Sequence, residues 1–332
     1  MSDAPRQPRS APAEASLKTS VDRRTLLRGG AALGLAAPAL IGAGLAAPGR
    51  AAAPMGGDPV RDVARIKLGA MEVLVMRDGQ AVRENPHSMF AVNREADELA
   101  ALLEKNFLPT DKVALPFTPT AVNTGAEVIL FDTGLGAGAK PMGGHTSDLL
   151  AAAGIAPDAV DVVVITHMHG DHIGGLMTDG APTYRNARYV FGQAEFDGWD
   201  SYGEGPFKAV ADGFAATVKP LADKASFIAP GETVASGIEA VNAFGHTPGH
   251  MAYHLESDGA RMMITADASN HFVASLQRPD WHFLFDVDKP AAAQARKDLF
   301  GMIAADRIPF IGYHMPNSAP GFLEPLSGGG FR

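Results

Sequence analysis

Read only for the spacing of its apolar positions, the chain alternates between short β-branched runs and longer amphipathic stretches. Ile66-Lys67-Leu68 and Met71 to Met76 have the look of two strands, with Arg77-Asp78-Gly79 as a turn. Residues 84–116 lack clean alternation, but within them Glu95 to Asn106 puts Leu99, Leu102 and Leu103 on one face of a helix. That insertion reads as packing, with a lid or a dimer contact as the other two readings. Thr118 to Asn123 and Glu127 to Asp132 predict a hairpin around Thr124-Gly125, and Ser147 to Gly154 a short helix. Asp161 to Ile165 is a β-branched run of the kind buried on both faces. Further strands are expected at Arg188 to Phe191, Ile238 to Asn242, Met251 to Glu256, Arg261 to Thr265 and Ile308 to Tyr313. Helices are expected from Gln193 and over residues 289–305, the second opening on Pro290. The order strands, helix, strands, helix is given twice. Periodicity alone establishes a mixed α and β chain.

The run at Asp161 ends in His167-Met168-His169-Gly170-Asp171-His172, three imidazoles and a carboxylate within six residues. Histidine is scarce, 11 in 332 residues, so this density is a signal. A polar loop with surface histidines is the bland alternative. Imidazole with carboxylate suits zinc and its first-row neighbours, and a strand end fixes such ligands at little entropic cost. Gly174-Gly175 would let the backbone turn tightly and start a helix.

These words, with Ile165-Thr166 before them and Gly245-His246-Thr247-Pro248-Gly249-His250 further on, resemble the metallo-β-lactamase superfamily. More narrowly they resemble its methyl parathion hydrolase branch and the lactonase relatives. The resemblance runs from about Val63 onward and weakens at the C-terminus, where Pro316 to Gly321 departs from the branch. It implies an α+β fold, a four-layer αββα sandwich with metal ligands at one edge of two paired sheets. By the same resemblance His167, His169 and His246 form a first metal site, Asp171, His172 and His314 a second, and Asp267 the bridge between two divalent ions, zinc by preference. The implied chemistry is attack by a metal-bridging hydroxide, with Asp171 as the side chain that handles the proton. Asp132 is expected to orient a ligand imidazole, and His250 to play a supporting or packing role. The branch lines its pocket with aromatics, for which Trp199, Phe90, Phe196 and Phe272 are the candidates here, with Phe207 and Trp281 behind them. Core packing is the competing reading for each.

Composition narrows the partners. The chain has no cysteine, so there are no disulfides and no thiolate ligand. Arg23-Arg24-Thr25-Leu26-Leu27-Arg28, a Gly/Ala-rich run from Gly29 to Ala47 and Ala51-Ala52-Ala53 resemble a Tat export signal over residues 1–53. That predicts a hydrolase domain over residues 54–332, the Tat machinery as a partner, and a periplasmic or secreted location. Without those 53 residues, 21 basic and 34 acidic residues remain, a net charge of −13. Such a surface repels phosphate backbones and argues against nucleic acid as the substrate class. No later stretch is long and apolar enough to span a bilayer. A homodimer is implied by the resemblance alone.

Together these features favour a small-molecule hydrolase acting on a neutral, hydrophobic ester, lactone or phosphotriester. A glyoxalase II-like thioester hydrolase shares the ligand set but normally offers basic residues, which are sparse around these motifs. An iron-dependent oxidoreductase on the same fold and a non-catalytic binding protein are the remaining alternatives.

Overall fold

The computed structural model describes residues 62–332 apart from residue 317. The twin-arginine segment and its expected cleavage region lie outside the described residues. In chain order come β1 (Val63–Leu68), β2 (Met71–Met76), β3 (Gly79–Glu84), α1 (Ala96–Lys105), β4 (Lys112–Phe117), β5 (Thr120–Asn123) and β6 (Val128–Phe131). Then follow α2 (Thr146–Ala152), β7 (Val162–Ile165), α3 (Gly170–Ile173), β8 (Met177–Thr178), β9 (Ala181–Pro182), β10 (Arg188–Gly192), α4 (Gln193–Asp200), α5 (Lys208–Thr217) and β11 (Ala225–Ile228). The last part contains β12 (Thr233–Ala235), β13 (Ile238–Asn242), β14 (Met251–Ser257), β15 (Ala260–Ala266), α6 (Ala274–Gln277), α7 (Lys289–Asp306) and β16 (Phe310–Gly312).

Seven strands form one sheet in the order β1-β2-β5-β6-β7-β10-β11, and five form another in the order β12-β13-β14-β15-β16. Successive side chains of a strand point to opposite faces, and this alternation builds the layers. Val73, Val75, Ile129, Phe131, Val162 and Val164 face the second sheet, where they meet Ile238, Tyr253, Leu255 and Ile264. The rings of Phe131 and Tyr253 lie 5.0 Å apart across that interface. Leu74, Met76, Leu130, Val163 and Ile165 face outward onto Leu150 of α2, Trp199 of α4 and Phe214 of α5. The second sheet turns Ala252, Met263 and Phe310 onto Leu299, Phe300 and Ile303 of α7. Helix, sheet, sheet and helix therefore stack as the expected αββα sandwich. The 18-residue α7 begins where Pro290 placed it, capped by Asp288, whose Oδ1 accepts the Ala291 amide at 3.0 Å.

The 84–116 insertion adds a fifth piece. α1 buries Leu99, Leu102 and Leu103 against Phe90, Val113, Val273 and Phe283, while Leu115 of the same insertion lines the cavity over Asp171. β4 pairs antiparallel with β3 as a separate two-stranded ribbon, which the sequence pattern does not predict. Gly174-Gly175 ends α3 instead of starting a helix. Its glycines are needed for close approach, since a Cβ on Gly174 would meet the Leu135 carbonyl oxygen at 2.3 Å.

Asp78 is the largest departure from expectation. In place of a solvated turn residue it is fully buried. Its carboxyl oxygens accept the amides of Leu135 at 3.1 Å, Gly144 at 2.8 Å and Thr146 at 2.7 Å, and the Thr146 hydroxyl at 2.5 Å. One side chain thus fixes the 134–146 loop, which carries cavity residues Leu135 and Met142. Asp78→Ala leaves those donors buried and unpaired, and should cost about 3 kcal/mol of stability in denaturant unfolding. A change below about 0.5 kcal/mol would show that the loop does not depend on it.

Candidate active site

The site assembles at the ends of β6, β7, β15 and β16 and in the loop after β13. β7 is an interior strand, hydrogen-bonded in parallel to β6 and β10, so the backbone that delivers His167 and His169 is held on both sides. Asp132 follows β6 and Asp267 follows β15, and each is reached through a left-handed residue, Asp132 itself at φ 61° and Ala266 at φ 43°. Non-glycine residues rarely adopt this region, at a cost of about 1–3 kcal/mol, and they cluster at functional sites.

Two groups of donor atoms converge. In the first, His169 Nδ1 lies 3.1 Å from His167 Nε2 and 3.0 Å from His246 Nε2, and Asp267 Oδ2 lies 3.3 Å from His246 Nε2. In the second, Asp171 Oδ2 is 3.5 Å from the Nε2 atoms of both His172 and His314. Asp267 stands between them: Oδ1 is 3.3 Å from His172 Nε2, and Oδ2 is 3.1 Å from His314 Nε2. The two groups are geometrically able to hold one metal ion each. Donor atoms at 2.0–2.1 Å from a tetrahedral ion lie about 3.4 Å apart, close to these spacings. His172 Nε2 and Asp267 Oδ1 are buried and take no hydrogen bond from any described residue, so the donor set fits a cation that would satisfy both.

The metallo-beta-lactamase superfamily model matches residues 119–306, more than half of the chain. The chain belongs to the metallo-beta-lactamase superfamily. Among solved structures it resembles AidC, a dizinc quorum-quenching lactonase in complex with its N-hexanoyl homoserine product, at 26% identity and TM-score 0.77, over 82% of this chain and 97% of that one. It also resembles the hydrolase AbOPH of the beta lactamase superfamily, at 21% identity and TM-score 0.75, over 83% and 97% of the two chains. A B. thuringiensis AiiA mutant with N-decanoyl homoserine bound at its active site aligns at 18% identity and TM-score 0.55, over 76% and 94%. No curated protein sequence matches. The superfamily fold and a metal-dependent hydrolase are therefore shown.

Around this superfamily site, buried acceptors fix the imidazoles of His172, His246 and His314. Asp132 Oδ2 accepts His172 Nδ1–H at 2.8 Å while Thr166 donates to it through both amide and hydroxyl, which is the orienting position expected for it. His250 accepts the Asp267 amide on Nε2 at 3.1 Å and donates from Nδ1 to the Ala243 carbonyl, so it braces the central carboxylate. His314 Nδ1–H donates to the Pro116 carbonyl at 2.8 Å. Three supports carry no signal in the sequence. Asp286 accepts His246 Nδ1–H at 2.8 Å and is itself held by Arg296 of α7 at 3.2 Å. Glu195, fully buried, accepts Met168 N, Gly249 N, Thr247 Oγ1 and Trp199 Nε1 at 2.7–2.9 Å, tying the two histidine loops together. Tyr313 stacks on His172 with centroids 3.8 Å apart.

A cavity of about 330 Å³ opens over Asp171, Asp267 and His314. Its wall is apolar, with Leu115, Phe117, Leu135, Met142, Phe283 and Phe285. The expected aromatics are not on it. Trp199 is enclosed, its indole N–H given to Glu195 at 2.7 Å, and it backs His169 from inside the protein. Phe196 packs on Phe214 and Phe227 in the outer core. Phe90 is buried under Phe283 at 4.8 Å, and Phe272 faces a different cavity. Phe283 and Phe285 take their place, in a segment without any strand or helix pattern to place it.

Burial and neighbouring charge split the titrations. Burial, with like charge from His246, lowers His169 and His250 to about 3. His246 is also penalised by burial, but its bonds to Asp267 and Asp286 raise it to about 9. His172 is likewise raised, by Asp132 and Asp171 against burial. Against an ordinary histidine value of 6.5, the raised groups stabilise the metal-free fold below pH 6.5 and lose that contribution as pH climbs toward 9. The lowered groups destabilise it as pH falls from 6.5 toward 3, since the unfolded chain then binds more protons. Metal-free protein should be most stable near pH 6.5 and weaken on both sides, read by denaturant unfolding across pH 4–9. A flat profile would contradict this charge assignment.

Proposed function

We propose that the chain is a dinuclear metal hydrolase that opens a neutral, hydrophobic lactone or related ester. The observation that carries the reading is Asp267, a buried carboxylate whose Oδ2 lies 3.3 Å from His246 in one donor group and 3.1 Å from His314 in the other, with Oδ1 toward His172, set beneath an apolar cavity. His167, His169 and His246 would hold one ion, and Asp171, His172 and His314 the other. Bound there, two divalent ions, zinc by the nitrogen and oxygen donor chemistry, supply a hydroxide at neutral pH and polarise the scissile carbonyl.

The chain's own residues do the rest. Leu115, Phe117, Phe283 and Phe285 exclude water from the bound substrate and favour an apolar acyl group. Asp171 is the most solvent-accessible member of the two groups, its side chain 20% exposed on the cavity floor. His172 and His314 outweigh its burial and hold it near 2, so it is ionised and able to accept a proton. Its Oδ1 takes no hydrogen bond from a described residue, which leaves that oxygen for the proton of the attacking or leaving group. Tyr313 donates to the Asp171 carbonyl at 2.5 Å and keeps the residue in place.

AidC, a lactonase with 26% identity, supports a lactone above a phosphotriester. Arg83 is the one Lys or Arg on the cavity wall, which disfavours the two carboxylates of a glutathione thioester. Export belongs to the same reading: a Tat-type leader carries a folded, metal-loaded protein, with a periplasmic or secreted site of action. No helix among the described residues is long and apolar enough to cross a membrane.

The test is a panel of N-acyl lactones, p-nitrophenyl esters, methyl parathion and S-lactoylglutathione on metal-loaded protein, with lactones and esters expected to lead. Asp171→Asn should lower kcat by about 10²–10⁴-fold in samples whose metal content is shown to be intact. Full rate in such samples would remove Asp171 from the proton transfer, and thioester preference would overturn the substrate class.

A further inference from the structure

The β3–β4 ribbon separates two cavities. In its antiparallel register Ala81 pairs with Leu115 and Gly79 with Phe117, while Gln80 pairs with Pro116 and Val82 with Ala114. Ala81, Arg83, Leu115 and Phe117 face the cavity over Asp171, whereas Gln80, Val82, Ala114 and Pro116 face a second cavity of about 320 Å³. This is the two-residue alternation of a strand: Ala81, Leu115 and Phe117 are buried, whereas Gln80, Val82 and Ala114 are exposed at the open side of the second cavity. The far wall of the second cavity is Leu103, Leu108 and the His271-Phe272 pair. Its volume lies in the range of small-molecule sites.

His271 gives this cavity a defined polar point. The side chain is 5% exposed. Its Nδ1 accepts the amides of Val273 and Ala274, both at 3.0 Å, so Nδ1 carries no proton. Burial lowers the group to about 4, and the ring is neutral at physiological pH. The single ring proton is therefore on Nε2, which makes no hydrogen bond to any described residue. Phe90 meets the ring edge-on at 5.3 Å and Phe272 stacks at 4.8 Å, so the imidazole is clamped with that N–H available. A fixed donor that no described residue pairs, open to the cavity on an otherwise apolar wall, is a defined point for an incoming acceptor.

We propose that the second cavity is a binding site for a small neutral amphiphile, with an amide-type carbonyl on His271 Nε2–H and an apolar chain along Leu103, Leu108 and Phe272. A neutral acceptor fits better than a carboxylate, because His271 offers one uncharged donor and Lys112, the one cation on the wall, is solvent-exposed. The ligand would sit across the ribbon from the reactive cavity. It would touch the catalytic side only through His314, which borders both spaces and is hydrogen-bonded to the ribbon at Pro116.

Calorimetric titration of metal-loaded protein with octanamide tests this without any turnover. Saturable one-site binding is expected, tighter for octanamide than for octanoate. His271→Gln should weaken it about tenfold, and Ala114→Trp, which fills the cavity from the ribbon, should abolish it, with metal content and Tm of both variants checked. If His271→Gln fails to fold, Ala114→Trp decides alone. Absence of saturable binding, binding that survives Ala114→Trp, or tighter binding of octanoate would overturn the proposal. Because Ala114 lines only the second cavity, binding lost in Ala114→Trp is assigned there and not to the cavity over Asp171, which keeps this outcome separate from the hydrolase reading.

Discussion

The structure is organised around the burial of one carboxylate. Asp267 is almost fully enclosed, and a charge so placed costs several kcal/mol unless positive partners surround it. His314 and His172, both raised and so positive, supply that field and hold Asp267 far below the usual carboxylate range, in spite of desolvation. The left-handed backbone at Ala266 aims the residue, the His250 ring takes its amide, and Asn270 donates to its Oδ2 at 3.0 Å. In metal-free protein the arrangement is a strained compromise. Cations bound at the two donor groups would complete it, which would tie the fold's electrostatics to its chemistry.

That requirement explains why so much buried polarity surrounds the site. Asp132, Asp286 and Glu195 are each essentially inaccessible, yet each is saturated with donors. Asp132 and Asp286 each fix one imidazole tautomer, and Arg296 ties the Asp286 carboxyl to α7, so the outer helix layer reaches the site by two hydrogen bonds. Glu195 fastens the loop after β7 to the loop after β13, one from each sheet. Gly249 makes this possible, since a Cβ there would meet the Glu195 amide nitrogen at 2.1 Å. Rigidity of this kind favours a preorganised site.

The donor residues were legible in the sequence because chemistry of this kind needs particular side chains at strand ends: His167 to His172, His246, Asp267 and His314 all converge as expected. Most strands and α7 were legible from alternation and a proline start, whereas the four layers came from the family resemblance of the histidine motifs. The supports were not. Asp286, Arg296 and Glu195 act across 40, 28 and 54 residues of chain, to His246, the Ala268 carbonyl and the Gly249 amide, and nothing local marks a buried acceptor. Asp78 looked like a turn because Asp-Gly usually is one. The aromatics failed for a different reason: Trp199 and Phe196 satisfy both a core and a pocket by composition, and only packing separates the two.

Asp267 is proposed to serve both metal sites, and zinc titration of metal-free protein tests this most directly. Bound metal and lactone hydrolysis would be measured on the same samples. Two equivalents should bind, Asp267→Ala should lose at least one of them, and hydrolysis should appear with the second. Full activity at one bound equivalent, or hydrolysis by protein stripped of metal, would contradict it.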